Sequence, residues 1–195
     1  MTDTVSLLIF VFAGLFSPGP NVVMLTASGA RFGFRRTLPH LLGVPIGTAV
    51  LAAVSGFGVG ASLLSIPALK LVFQLLASAW ILWLSFKTAR AGRIGRTADQ
   101  DKPFTFIQAI MFQAVNPKVW AVTIAAAAGF GSDLSPAMEA ARLSAVFFGL
   151  NMLVCFFWTT TGHLLSRLLQ SEKTWRIFML TMAFIMACTV ALIFI

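Results

Sequence analysis

Two short segments inside long apolar runs combine helix-breaking residues with polar side chains, and they are the strongest candidates for a binding site. They read Ser17-Pro18-Gly19-Pro20-Asn21 and Asn116-Pro117-Lys118. Proline removes a backbone hydrogen-bond donor and clashes with the preceding helical turn, while glycine relaxes the backbone further. Each segment therefore predicts a break in a helix, with main-chain N–H and C=O groups left without helical partners.

Main-chain groups freed in this way suit a charged ligand. A half-helix N-terminus presents amides and the positive end of the helix dipole to a carboxylate, and a half-helix C-terminus offers carbonyls to an ammonium group. We therefore predict that residues Pro18 to Asn21 and Asn116 to Lys118 bind a zwitterion such as an amino acid, with Lys118 on its carboxylate. The alternatives are that the prolines only kink helices, that Lys118 is a structural partner of a helix C-terminus or snorkels to an interface, and that Asn21 and Asn116 are ordinary interhelical contacts.

The composition indicates which elements must position these residues. With 58% hydrophobic and 10% charged residues, the chain has too little polar surface for a water-soluble globule of this size. About 20 apolar residues are needed to cross a bilayer as a helix. Six runs are candidates, and Lys118 is the single charge inside any of them; they lie between Asp3 and Arg31, Arg36 and Lys70, Lys70 and Lys87, Lys102 and Asp133, Arg142 and Arg167, and Arg176 and Ile195. The third is the shortest, and the aliphatic stems of Lys70 and Lys87 extend it. The predicted fold is therefore an all-α polytopic membrane domain, 1–195, with about six transmembrane helices, of which the first and fourth are broken.

The charged loops predict how the helices are arranged. The polar stretch 87–103 divides the chain into three-helix repeats, 1–86 and 104–195, and an odd number of helices places the second repeat upside down relative to the first. Of the 14 Lys and Arg, most fall at 31–36, 87–102 and 167–176, all on one side of the predicted membrane. Because basic loops stay cytoplasmic, we expect a cytoplasmic 87–103 linker and both termini on the periplasmic or extracellular side.

The same residues resemble a known family. The pattern runs from Ser17-Pro18-Gly19-Pro20-Asn21 through Ser28-Gly29, Gly33, Arg35, Gly43 and Gly47 to Asn116-Pro117-Lys118, and it is similar to that of the LysE/RhtB amino-acid exporters over essentially the whole chain. The resemblance implies a small six-helix inner-membrane protein that dimerises and exports amino acids or their relatives, driven by the proton-motive force. Gly43 and Gly47 are then packing or hinge positions. Thr48 stands where some lysine-exporting relatives have an acidic residue, which disfavours a basic substrate.

The energy source is left open by the residues themselves. Every Asp and Glu falls in a predicted loop or at the end of a predicted helix, so no acidic proton relay is visible. The titratable candidates for proton coupling are His40, His163 and Lys118, with histidine the most easily switched near neutral pH. A uniporter is the alternative.

Other chemistry is poorly supported by the sequence. Cys155 and Cys188 lie singly in two predicted helices, and no cysteine or histidine cluster has metal-ligand spacing, so we expect no metal and no cofactor. No serine has the surroundings of an activated nucleophile, which disfavours an enzyme. The net charge of +8 is explained by anionic lipid headgroups without nucleic acid. An exporter of cations or of another small solute, and a scaffold that transports nothing, remain alternative functions.

Overall fold

The described part of the protein is helical throughout. The structure is a computed structural model, and it describes residues 2–17, 19–58, 67–90, 102–169 and 171–191. Within these ranges there are eight α-helices and no strand: α1 Thr2–Phe16, α2 Pro20–Phe32, α3 Phe34–Gly56, α4 Pro67–Ala89, α5 Phe106–Ala114, α6 Pro117–Gly129, α7 Pro136–Leu165 and α8 Glu172–Cys188. The all-α prediction is confirmed.

Helices end and restart at both motifs. Between α1 and α2 the direction of the chain changes by 57°, and α2 begins at Pro20 after Gly19, whose backbone is extended. Helix α5 ends at Ala114 and α6 restarts at Pro117, directly after Asn116. Proline is favoured at the first position of a helix because its missing N–H has no helical partner there. Each motif therefore starts a second helical segment.

The six predicted crossings are confirmed only in part. Each of the six apolar runs contains one helix or one broken pair of helices. By length and composition, α3 and α7 can each cross a membrane, and α1 with α2 adds a third crossing if this bent pair is one span. The chain is therefore a helical membrane protein, while six crossings and an inverted repeat remain predictions. Helix α4 continues to Ala89, inside the predicted linker 87–103, and residues 91–101 of that linker lie outside the described residues.

Helices α3 and α7 form the centre of the bundle. They pack most extensively against each other, α1 and α2 lie on α7, α5 and α6 lie on α3, and α4 packs on α8. A buried cluster that includes Leu7, Val11, Leu143 and Phe147 fills the space between α1 and α7. The two broken pairs are thus held against the two central helices.

Glycines bring the backbones of these helices together. A Cβ atom at Gly29 of α2 would collide with the carbonyl oxygen of Thr159, and one at Gly162 of α7 would collide with that of Thr26. On α3, a Cβ at Gly43 would lie 2.5 Å from the Phe106 carbonyl oxygen, and one at Gly47 would lie 2.7 Å from Gln113 Cγ. Small residues of this kind allow close helix packing in membranes.

Candidate functional site

The two motifs meet in the interior of the bundle. The Lys118 ammonium, near the start of α6, donates a hydrogen bond to the Ser17 carbonyl oxygen at the end of α1. Its side chain also passes close to Gly19, where a Cβ would lie 2.8 Å from Lys118 Cδ and 3.0 Å from Nζ. Pro18 lies outside the described residues. The structure therefore joins segments that are about a hundred residues apart in the sequence.

An amide pair links the same two broken helices. Asn21 Nδ2 donates to Gln113 Oε1 at 2.8 Å, and Gln113 Nε2 donates back to Asn21 Oδ1 at 3.2 Å. Gln113 is fully buried and also donates to the Ala109 carbonyl at 2.9 Å. Gln113 was not among the site residues predicted from the sequence. Its polar side chain within an apolar run was the available signal, because a buried amide must find hydrogen-bond partners.

The half-helices that start at the motifs lack side-chain caps. Gly19 caps α2 and Asn116 caps α6 without a side-chain hydrogen bond to the first turn. In contrast, side chains cap α5, α7 and α8; these are Thr105, Ser135 and Ser171. Asn116 is 1% exposed, and its side-chain oxygen has no partner among the described residues. The first turns of these two half-helices therefore have no side-chain cap, and the Asn116 side-chain oxygen is a buried acceptor available to a ligand.

A small cavity lies at this junction, between α1, α2, α6 and α7. Its polar lining includes Asn21, Asn116, Lys118, Asn151 and Trp158, and no described lining residue is acidic. The Trp158 indole nitrogen is buried without a partner within the described ranges. The cavity has a volume of about 20 Å³, which is enough for about one water molecule. The site is therefore closed to a molecule as large as an amino acid.

A second polar chain crosses the centre of the bundle beside this cavity. Asn151 Nδ2 on α7 donates to Thr48 Oγ1 on α3 at 2.9 Å, and the Cys155 thiol contacts Asn151 Oδ1 at 3.5 Å. Asn151, Cys155 and Trp158 all line the cavity. None of them was among the predicted site residues. Asn151 carried the same signal as Gln113, an amide within an apolar run, whereas nothing in the local sequence shows that Cys155 and Trp158 are turned inward.

Both candidate histidines lie away from this cavity. His40 on α3 is 2% exposed, and its ring centroid lies 5.3 Å from that of Phe104. His163 lies near the end of α7, where its Nδ1 would be 3.6 Å from a Cβ placed at Gly33. Neither lines the cavity around Lys118. If either histidine couples proton movement to transport, its protonation must therefore act on the cavity around Lys118 from another part of the bundle.

The fold and the buried polar junction define an α-helical membrane protein with a small polar cavity between interrupted helices. A family model described as LysE type translocator matches residues 12–195, and the chain belongs to this family. It is therefore a transporter and not an enzyme.

Its curated relatives have consistent names. Cysteine/O-acetylserine efflux proteins of Salmonella choleraesuis (strain SC-B67) and Salmonella typhimurium (strain LT2) are each 28% identical over 155 residues, which is 77% of either chain. The protein of the same name from Escherichia coli O1:K1 is 27% identical over 158 residues, or 79% of either chain. No solved structure matches the chain.

Proposed function

We propose that the protein exports small neutral amino acids or their close derivatives across the inner membrane by alternating access. The observation that carries the proposal is that one cavity is lined by the Lys118 cation and by Asn116, whose side-chain amide oxygen has no partner among the described residues. A cation beside uncapped helix amides suits a carboxylate, and a neutral acceptor suits an ammonium group. Residues Pro18 to Asn21 and Asn116 to Lys118 form the proposed binding site.

The charge of the cavity supports a neutral amino acid over other substrates. Its described lining carries one cation and no carboxylate, so a metal cation or the second ammonium of lysine would meet Lys118 without a compensating charge. A zwitterion brings one charge of each sign. The efflux of cysteine and O-acetylserine in the names of the relatives fits the same class, which disfavours the cation exporter.

Alternating access is supported by the closed cavity and by the helix contacts. A cavity with room for about one water must open before a substrate enters or leaves. In an inverted repeat, α2, α3 and α4 of the first half correspond to α6, α7 and α8 of the second. The corresponding helices α3 and α7 are in contact, and so are α4 and α8. The contact of α2 with α7 has its counterpart in the contact of α6 with α3. We infer that the two three-helix halves rock about the junction of the motifs.

The remaining features follow from the family and from charge. We place 87–103 in the cytoplasm and both termini in the periplasm, because basic loops remain cytoplasmic. Export is driven by the proton-motive force, with His40 and His163 as candidate coupling groups, and the functional unit is a homodimer.

The transport test centres on Lys118. The purified full chain is reconstituted in proteoliposomes, and counterflow of labelled cysteine and O-acetylserine is measured with lysine, aspartate and metal cations as competitors. Lys118→Gln should lower apparent substrate affinity by roughly 10 to 100-fold, since a charge-assisted hydrogen bond contributes about 1.5 to 3 kcal/mol. The matched control is Lys173→Gln, which removes an exposed cation from α8.

Two results would overturn the assignment. If Lys118→Gln transports like the wild type, Lys118 only holds the end of α1 through the Ser17 carbonyl. If the protein moves no labelled amino acid and none raises its melting temperature, the chain is a scaffold or carries another solute, since a ligand of the folded state must stabilise it. Asn116→Leu provides an independent variant, and it should weaken binding while leaving Lys118 in place.

A further inference from the structure

A second and larger pocket lies where four basic side chains converge. It has a volume of about 280 Å³ and lies between the end of α2, the start of α3, the end of α4 and residues 102–104. Arg31, Lys87, Arg90 and Lys102 line it, and no acidic side chain is among its described lining residues. The nearest carboxylates in the sequence, Asp99 and Asp101, lie outside the described residues. The pocket is therefore strongly positive in the described part of the chain.

A buried imidazole also lines this pocket. His40 is 2% exposed, and neither ring nitrogen has a hydrogen-bond partner in the part of the chain that the structure describes. Its ring packs against Phe104, another lining residue, with centroids 5.3 Å apart. Leaving a buried polar group unpartnered is costly, so a ligand oxygen at this position would remove a penalty in addition to meeting the positive charge.

Aromatic rings hold two of the cations in place. The Lys87 ammonium lies 4.7 Å from the centroid of Trp83, and the Arg90 guanidinium lies 4.3 Å from that of Phe86. Such contacts orient a cation without neutralising it. The charges are thus pre-positioned for an anion.

We propose that this pocket binds the phosphate headgroup of an anionic phospholipid, with His40 donating to a phosphate oxygen. The proposal rests on the membrane embedding and orientation in the proposed function. An amino-acid zwitterion fits poorly, because its ammonium would face the same cations. A lipid fits because the pocket adjoins exposed apolar side chains of α4, among them Leu82, Trp83 and Phe86, which offer a surface to acyl chains. Basic pockets between helices on the cytoplasmic side are suited to such headgroups.

Lipid binding can be measured without transport, so its failure and that of the proposed function are distinguishable. The full chain is mixed in detergent with phosphatidylglycerol, with phosphatidylcholine of the same acyl chains, or with inorganic phosphate. Native mass spectrometry then measures which of them stays bound after the detergent is removed. We expect phosphatidylglycerol to bind at least about tenfold more tightly than phosphatidylcholine at one site. The double variant Lys87→Gln/Lys102→Gln should lose this preference. The control Arg35→Gln/Arg36→Gln removes two exposed cations outside the pocket and should keep it.

His40 gives a second, independent readout. His40→Phe keeps an aromatic ring beside Phe104 but removes both nitrogens, so it should reduce the headgroup preference without lowering the melting temperature. The proposal is overturned if both lipids bind equally, if the Lys87/Lys102 variant retains the preference, or if His40→Phe leaves it unchanged. Inorganic phosphate that binds as tightly as the lipid and displaces it would assign the pocket to a soluble anion, which also overturns the proposal.

Discussion

Gly162 and Gly149 provide a matched test of how closely α2 and α7 pack. Both lie in α7, and the same substitution to alanine meets opposite surroundings at the two positions. A Cβ atom at Gly162 would lie 2.8 Å from the carbonyl carbon of Thr26 and 3.0 Å from its Cα, and it would collide with the carbonyl oxygen. At Gly149 no described atom outside the adjoining backbone of α7 itself lies within 4 Å of the added Cβ. The substitutions differ in what the new methyl group contacts.

The expected free energies follow from these contacts. Alanine is favoured over glycine in a helix by about 0.8 to 1 kcal/mol, and at Gly149 nothing opposes this gain. At Gly162 the methyl group meets backbone, which cannot rotate away, so α2 and α7 must separate. Overpacking costs about 1 to 3 kcal/mol or more, and collision with backbone places Gly162 at about 3 kcal/mol; after the helix gain of about 1 kcal/mol, the net destabilisation is about 2 kcal/mol. With about 2 to 4 °C per kcal/mol for a chain of this size, Gly162→Ala should lower Tm by roughly 4 to 8 °C and Gly149→Ala should raise it by roughly 2 to 4 °C.

The assay is thermal unfolding of the purified full-length variants in one detergent, followed by intrinsic tryptophan fluorescence and by helical circular dichroism. Both variants are compared with the wild type at equal protein and detergent concentration. Shifts of the same sign, or an unchanged Tm for Gly162→Ala, would refute the inference that backbone contact between α2 and α7 requires glycine. Gly149→Ala guards against a general effect of the substitution on α7.

Two further predictions concern polar contacts elsewhere in the bundle. Asn21→Leu should destabilise the protein by about 1 to 3 kcal/mol, because the buried Gln113 side-chain oxygen loses its donor. Gln113→Leu added to it should recover part of the loss. A double-mutant cycle of melting temperatures measures the coupling, and additive losses would contradict it. Glu139 accepts hydrogen bonds from Ser132 at 2.6 Å and from Arg142 at 2.9 and 2.6 Å, so Glu139→Gln should speed amide hydrogen exchange in 130–135 while exchange at the caps of α8 is unchanged. Equal exchange in 130–135 would show that this loop does not depend on the ion pair.

Much of the helical framework could be predicted because its causes are local. Apolar runs bounded by charges located every described helix, and the motifs at 17–21 and 116–118 located both breaks. Proline alone was not the signal, because Pro39 and Pro45 lie inside the continuous helix α3. What distinguishes the breaks is a residue before the proline, Gly19 or Asn116, that adopts an extended backbone and begins a new helix. Local residue type therefore sufficed to place the interruptions.

The partners of the site residues could not be predicted, because they depend on which helix faces meet. The sequence singled out Asn21 and Lys118 as polar groups at membrane depth, but not that Asn21 pairs with Gln113 or that Lys118 bonds to the Ser17 carbonyl. Asn151, an amide within an apolar run, carried the same signal as Gln113. The periodicity of an almost wholly apolar helix does not distinguish lipid from protein, so inward positions of α7 such as Cys155 and Trp158 had no sequence signal. Tertiary packing supplied this information.

The contact of Lys118 with Ser17 also bears on how a substrate could open the site. In the closed form the end of α1 is held by the cation that the proposed function assigns to the substrate carboxylate. A carboxylate that takes over this hydrogen bond would release the Ser17 carbonyl, leaving the Asn21–Gln113 amide pair as the other hydrogen-bonded link between the two broken helices. A ligand shifts a conformational equilibrium only by its differential affinity for the two states. The Lys118 ammonium has three N–H donors, so a carboxylate provides such a difference only if it draws the ammonium away from Ser17. The structural role and the binding role of Lys118 are then successive states of one contact.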